Sequence, residues 1–209
     1  MRPDRQARPE YVEAFRELVA RIARALESAP AASLPVRMYV AGGAALHFYT
    51  GARVTKDVDA VFSRRIVLPD DLKVSYRDPD GAARLLYFDR QYNDTFGLLH
   101  EDAYEQSQAL TLEGIDAQVL DVRLLSPLDL AVSKISRFSE QDREDIAALA
   151  SLGLISSDTL RHRAEQALLN YVGDTTRVRG AIESACRIVA DAEARRPKGQ
   201  PHGRPKGRR

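Results

Sequence analysis

Cysteine is nearly absent from this chain of 209 residues: Cys186 stands alone. A single thiol excludes an internal disulfide and any zinc site built on cysteine pairs. Histidine is almost as scarce, and His47, His100, His162 and His202 are scattered too widely for a compact histidine metal cluster. No window approaches the roughly 18 consecutive apolar residues of a membrane-spanning helix. The N-terminal MRPDRQARPEYVEAF is charged where a secretory signal would be apolar. These absences predict a cytoplasmic protein without a membrane partner, able to bury one core or a core with a helical appendage.

A charge excess of one sign is missing too, since 31 basic and 30 acidic residues leave a net charge of +1. The two signs are nevertheless segregated. Arg195 to Arg209 (RRPKGQPHGRPKGRR) holds seven Lys or Arg and no acid, leaving 24 basic and 30 acidic residues ahead of it. With three Pro, three Gly and no apolar side chain, this tail (195–209) is expected to be disordered when free. It reads equally as a contact to nucleic-acid phosphates or as a solubilising terminus.

What the sequence does contain is concentrated between Tyr39 and Phe62, YVAGGAALHFYTGARVTKDVDAVF. Val36 to Val40 is short, apolar and β-branched, a buried strand. Gly42-Gly43 turns it into a helix over AALHFY, and free backbone N–H groups with the positive end of a helix dipole suit a phosphate at such a turn. Thirteen residues separate Gly43 from Asp57. Asp57 to Phe62 alternates as one strand, which places the Asp57 and Asp59 carboxylates on one face. Two adjacent carboxylates favour a cation, and oxygen donors with room for phosphates suit Mg²⁺. Taken singly, a Gly-Gly pair is a turn or a tight packing point, and an Asp-x-Asp pair is a solvated strand; their joint spacing makes the argument.

At these residues the chain resembles the nucleotidyltransferase superfamily, whose signature is Gly-Gly or Gly-Ser followed by Asp-hydrophobic-Asp. The fuller string resembles the abortive-infection-type nucleotidyltransferase toxins and their uncharacterised bacterial relatives, with Arg53, Thr55, Asp57 and Asp59 on the family's Arg-x-Ser/Thr-x-Asp-x-Asp pattern. Leu125 to Leu149 is similar to the family's second block, a lysine-bearing helix followed by an Arg-Asp cluster. One departure is that Gln141-Asp142-Arg143-Glu144-Asp145 keeps the acidic spacing without an arginine ahead of Asp142. The resemblance implies catalytic roles for Asp57, Asp59, Lys134 and Asp142, nucleotide binding by Gly42, Gly43, Arg53, Thr55 and Lys134, and Mg²⁺ on Asp57 and Asp59. It implies transfer of a nucleoside monophosphate from an NTP to an RNA (tRNA-like) or protein hydroxyl, in a toxin–antitoxin or phage-defence setting that includes an antitoxin protein. The alternative is an inactive nucleotide- or RNA-binding protein of the same fold.

The helix after Ser139 sets Asp142 and Asp145 beside the stripe formed by Ile146 and Leu149, where a carboxylate must be paired, hydrogen-bonded or metal-bound. Lys134 and Arg137 can neutralise them, so an inter-helix ion-pair network competes with catalysis as their role. His47 either faces the Gly-Gly turn or packs in the core. A third carboxylate could come from Asp116 or Asp121, which alternation puts on opposite faces.

Elsewhere Glu10 to Ser28 has helical periodicity, Arg84 to Asp89, Phe96 to Leu99 and Gln118 to Leu124 read as strands, and Asn93-Asp94 as a turn. Helices are expected over 127–138, 140–152, 157–171 and 175–194. The expected fold class is α/β, a small mixed sheet with flanking helices over residues 1–125, followed by a C-terminal helical bundle over 126–194.

Overall fold

The computed structural model describes residues 6–94 and 97–196. Pro9–Leu26 forms α1, with proline in the first turn, where its missing N–H leaves no helical bond unmade. Tyr11, Phe15, Leu18, Val19, Ile22 and Leu26 recur every three or four residues and are all buried, the apolar stripe that pins α1 to the core. Val36–Val40 is β1, and Gly42–Thr50 is α2, whose residues from Gly43 to Tyr49 are all buried. A helix apolar all round belongs inside the protein.

The next elements are Asp57–Val58 (β2), Ala60–Phe62 (β3), Lys73–Arg77 (β4), Ala83–Phe88 (β5), Gln108–Ala109 (β6) and Leu120–Leu124 (β7). Two small mixed sheets result. One has the order β3-β1-β7-β6, with β1 parallel to β7 and the other neighbours antiparallel. The other has the order β2-β5-β4, with β2 parallel to β5. The alternating stretch from Asp57 to Phe62 is therefore not one strand: it breaks at Asp59 and passes from the second sheet to the first. The expected strand over Phe96 to Leu99 is also corrected, since residues 97–99 form no strand and Phe96 lies outside the described residues.

Four helices follow: Pro127–Ile135 (α3), Glu140–Ser151 (α4), Ser157–Leu168 (α5) and Thr175–Arg195 (α6). Each begins on a side-chain cap, from Ser126, Ser139, Ser156 and Asp174, which explains why these boundaries match the pattern of the sequence. After α3, Phe138 turns the chain at φ 52° and donates its N–H to the Lys134 carbonyl at 2.9 Å. Glycine usually takes this left-handed position, and a side chain there costs about 1–2 kcal/mol. α3 and α4 pack on α2, α5 packs on α3, and α6 packs on α4 and α5. One buried cluster runs from α1 through both sheets to Val189 on α6, so the helical region shares its core with the sheets. Of the tail, only Arg195 and Arg196 are described. No helix among the described residues is long and apolar enough to cross a membrane.

Inside the core, Asp129 on α3 and Arg163 on α5 form a buried ion pair at 2.8 Å, and Ser126 donates to the same carboxylate. His47 is fully buried. Its Nδ1 lies 2.7 Å from the Arg53 carbonyl, and its Nε2 accepts the Arg8 N–H at 3.0 Å. These two partners require the neutral ring with its proton on Nδ1. His47 is thus a core residue and does not face the cleft. Burial lowers its pKa, although the Arg53 carbonyl opposes the effect. Because the folded value is depressed, the unfolded chain takes up the proton first; the contribution of His47 is intact above about 6.5 and is lost as pH falls below it. In urea unfolding, the stability advantage of the native protein over a His47→Gln variant should shrink between pH 7 and pH 5. A constant difference would show that the ring does not titrate in the unfolded chain alone.

Candidate functional site

β1 delivers the chain to Gly42, whose φ of 56° suits glycine. A Cβ there would overlap the Asp59 carboxylate, and one at Gly43 would sit 3.0 Å from the Thr55 Cβ. The Gly-Gly pair therefore lets the start of α2 close on the segment from Thr55 to Asp59 that carries both acids. The Ala41 N–H donates to the Asp59 carbonyl at 2.8 Å and locks this approach. Thr55 donates its hydroxyl to the Asp57 carboxylate.

Burial, followed by the charges of Asp57 and Asp89, pushes the Asp59 carboxyl up to about 6, while Lys134 and Arg137 pull it down. Asp89 follows β5, and its N–H donates to the Val58 carbonyl at 3.0 Å, which sets it beside Asp59 across the parallel β2–β5 pair. Neither carboxylate considered from the sequence takes this place. Asp121 pairs with Arg37 at 3.7 Å and Arg123 at 3.3 Å. Asp116 accepts the Gln118 N–H at 2.8 Å and lines a separate hollow beside α1. The closing aspartate of RLLYFD was visible in the sequence, but only strand pairing shows which acid it faces.

Arg53 does not point freely at a ligand, because it holds Asp145 on α4 through two bonds of 3.1 and 3.0 Å. Lys134 Nζ is 2.6 Å from the same carboxylate and 3.8 Å from Asp142. Burial works to raise the Asp145 pKa, but the bonds from Arg53 and Lys134 prevail and hold it low. Asp142 is bound bidentately by Arg137 at 2.8 and 2.7 Å, and by the Ser139 N–H and hydroxyl. Burial is again opposed and overcome by these bonds, and the carboxyl falls to about 2. A carboxylate this weakly basic, already accepting four hydrogen bonds, is suited to holding Arg137 rather than to taking a proton. Arg137 also supplies from five positions away the arginine that the sequence lacks ahead of Asp142.

The two sequence blocks converge. Gly42 and Asp59 line a cleft of about 190 Å³ on one side, and Ser133, Lys134, Arg137 and Asp142 line the other. The third wall comes from Tyr92, Asn93, Asp94, Gly97 and Leu99, a segment whose turn residues gave no functional signal in the sequence. Burial and the charges of Asp59 and Asp94 raise the Tyr92 phenol, so it stays protonated and is able to donate into the cleft.

A family model described as nucleotidyltransferase of unknown function (DUF6036) matches residues 17–184. The chain belongs to that family. The matched span covers most of the chain and contains the Gly-Gly turn, both motif aspartates and the Lys134–Asp145 block. No curated protein and no solved structure matches it. The mixed α/β architecture with C-terminal helices is consistent with a nucleotidyltransferase-like fold.

Among the described residues no group of three or more His, Cys, Asp or Glu side chains forms a metal-ligand cluster. A magnesium ion needs fewer from the protein, since one or two carboxylates, water and substrate phosphates complete its shell. Asp57 and Asp59 supply carboxylates of that donor set, and Asp59, raised first by burial and then by the charges of Asp57 and Asp89, lines the cleft.

Proposed function

We propose that this protein is a magnesium-dependent nucleotidyltransferase that moves a nucleoside monophosphate from an NTP to a hydroxyl of an RNA or a protein. The observation that carries this reading is the shared cleft, in which Gly42 and Asp59 face Lys134 and Arg137. The acceptor oxygen forms a bond to the α-phosphorus, the bond from that phosphorus to the bridging oxygen breaks, pyrophosphate leaves, and the hydroxyl proton goes to solvent. Asp57 and Asp59 would hold the magnesium, which when bound would neutralise phosphate charge and lower the pKa of the attacking hydroxyl. The Gly42 backbone admits the phosphates at the helix start. Arg137, largely exposed and steadied by Asp142, offers its remaining N–H donors to the triphosphate. Lys134 adds positive charge from behind, and Arg53 fixes α4 against the acidic strand through Asp145. The resemblance to abortive-infection-type toxins supports a toxin–antitoxin or phage-defence role in which a cognate antitoxin protein restrains the enzyme.

A second reading, a nucleotide- or RNA-binding protein without transfer, is favoured by one contact: Asp145 occupies the Lys134 ammonium at 2.6 Å. Incubation with each α-labelled NTP, Mg²⁺ and total RNA or lysate separates the two. Transfer of label to one macromolecule, abolished by EDTA, is the expected result. NTP binding without any labelled acceptor would reject transfer and leave the second reading.

A further inference from the structure

Beyond the cleft, Arg137 also lines a larger groove of about 720 Å³ between α4 and α6, with Arg143, Arg177 and Arg187 along its walls. All four are exposed on a body whose acids outnumber its bases. Arg177 donates to the Ser136 carbonyl at 2.8 Å, Arg187 to the Ser184 hydroxyl at 3.1 Å, and Arg143 lies 5.2 Å above the Phe138 ring. These three guanidinium groups are thus oriented by neutral partners, and their charge stays available. The wall on α6 is low: Gly180, Ala181 and Ser184 line it, and a Cβ at Gly180 would meet nothing within 4 Å. Ile188 and Asp191 pass the groove on to a third hollow of about 470 Å³ that ends at Arg195 and Arg196. Among the described residues Asp191 is the one acid lining the groove and this hollow.

We propose that this track carries the backbone of a single nucleic-acid strand whose end reaches the cleft. Arginines spaced along a channel, with one guanidinium over an aromatic ring, match alternating phosphates and bases. The small-residue wall lets the sugar–phosphate chain lie close. A cleft of about 190 Å³ at one end of the track gives the strand end a place to sit. Only the direction of the strand rests on the proposed nucleotidyl transfer; its binding does not.

The test uses the full chain and fluorescence anisotropy with a labelled 12-nucleotide RNA, the corresponding DNA and a polyglutamate peptide, across a salt series. Replacing Arg143, Arg177 and Arg187 together by Gln should flatten the slope of log K against log salt by about two for a single strand and weaken binding about tenfold or more. Arg177 also ties α6 to Ser136, so the Arg143→Gln/Arg187→Gln pair provides a second variant, with a slope loss of about 1.4. Affinity for a fluorescent NTP should not change, and an Arg16→Gln/Arg24→Gln control on α1 should bind the strand like the native protein. Equal slopes for native and groove variants, loss of NTP binding along with the strand, or polyglutamate bound as tightly as either nucleic acid would each overturn the proposal. RNA and DNA losses of similar size indicate backbone recognition, and a loss confined to RNA indicates contact with the 2′-hydroxyl; both support it. If the native protein transfers no nucleotide yet the groove variants still lose the strand, the groove stands and the enzymatic reading falls.

Discussion

Asp59→Asn is expected to lower nucleotidyl transfer by at least about 10²-fold while making the cation-free protein more stable. The activity loss follows from removing a charged ligand at the reacting phosphates. The stability gain follows from the same charge: burial and the neighbouring Asp57 and Asp89 push this carboxyl up to about 6. A raised carboxyl pKa means that the ionised form is less favourable in the folded chain than in the unfolded one. That cost is complete above about pH 6, shrinks as pH falls towards the unfolded value near 4, and is gone below it. The gain is on the order of 2 kcal/mol at pH 8, roughly 4–8 °C in melting temperature for a chain of this size. It should vanish at pH 4, and millimolar Mg²⁺ should narrow it at pH 8 by stabilising only the native protein. Undiminished labelling by the variant would reject the proposed reaction, and an unchanged melting temperature at pH 8 would reject the electrostatic account of Asp59.

Asp145→Ala should have the largest effect on stability, at about 3–5 kcal/mol. The Asp145 side chain is 3% exposed, and it joins Arg53, from the loop ahead of the acidic strand, to Lys134 on α3, whose side chain is 6% exposed. Truncation leaves the buried ammonium with Asp142 at 3.8 Å as its remaining ion-pair partner among the described residues. Breaking a buried pair on one side is far more damaging than replacing both partners, because the remaining charge stays desolvated. The loss should appear in urea unfolding at pH 7. Since the Asp145 pKa is depressed in the fold, its contribution is intact above about pH 4 and fades as pH falls through the lowered folded value, so the native and variant proteins converge in acid. A difference below about 1 kcal/mol at pH 7 would mean that the network is screened like a surface ion pair.

The difference between these two aspartates was not legible in the sequence. Both stand in motifs that the resemblance links to nucleotide chemistry, yet one carboxylate is disfavoured by burial and by like charges beside the cleft and the other is saturated by cations at an internal junction. Asp142 shares the second situation: the sequence set it beside the core-facing stripe of its helix, and the bidentate hold of Arg137 became visible only in three dimensions.

The sequence by itself determined the elements with strong local signals. Val36–Val40 is a strand because four of its five residues are apolar and they precede a glycine turn, and α1 is a helix because its apolar residues recur on one face. α3 to α6 begin where Ser and Asp caps stand. The Gly-Gly and Asp-x-Asp pair was legible for the same reason, as both halves lie within about 20 residues and need only local geometry. Tertiary structure decided the rest. β4, Lys73–Arg77, alternates between exposed and half-buried positions, and its charged ends hid it from any hydrophobic pattern. The break at Asp59 depends on β2 pairing with β5 and β3 pairing with β1, partners 30 and 20 residues away in the registers Asp57↔Tyr87 and Val40↔Ala60. Placement of Asp89 beside Asp59, the third cleft wall of Tyr92, Asn93, Asp94, Gly97 and Leu99, and the arginine track on α4 and α6 all arise from such pairings. Strand pairing and helix docking are set by side-chain contacts between segments distant in the chain, and those contacts leave no periodic trace in either segment alone.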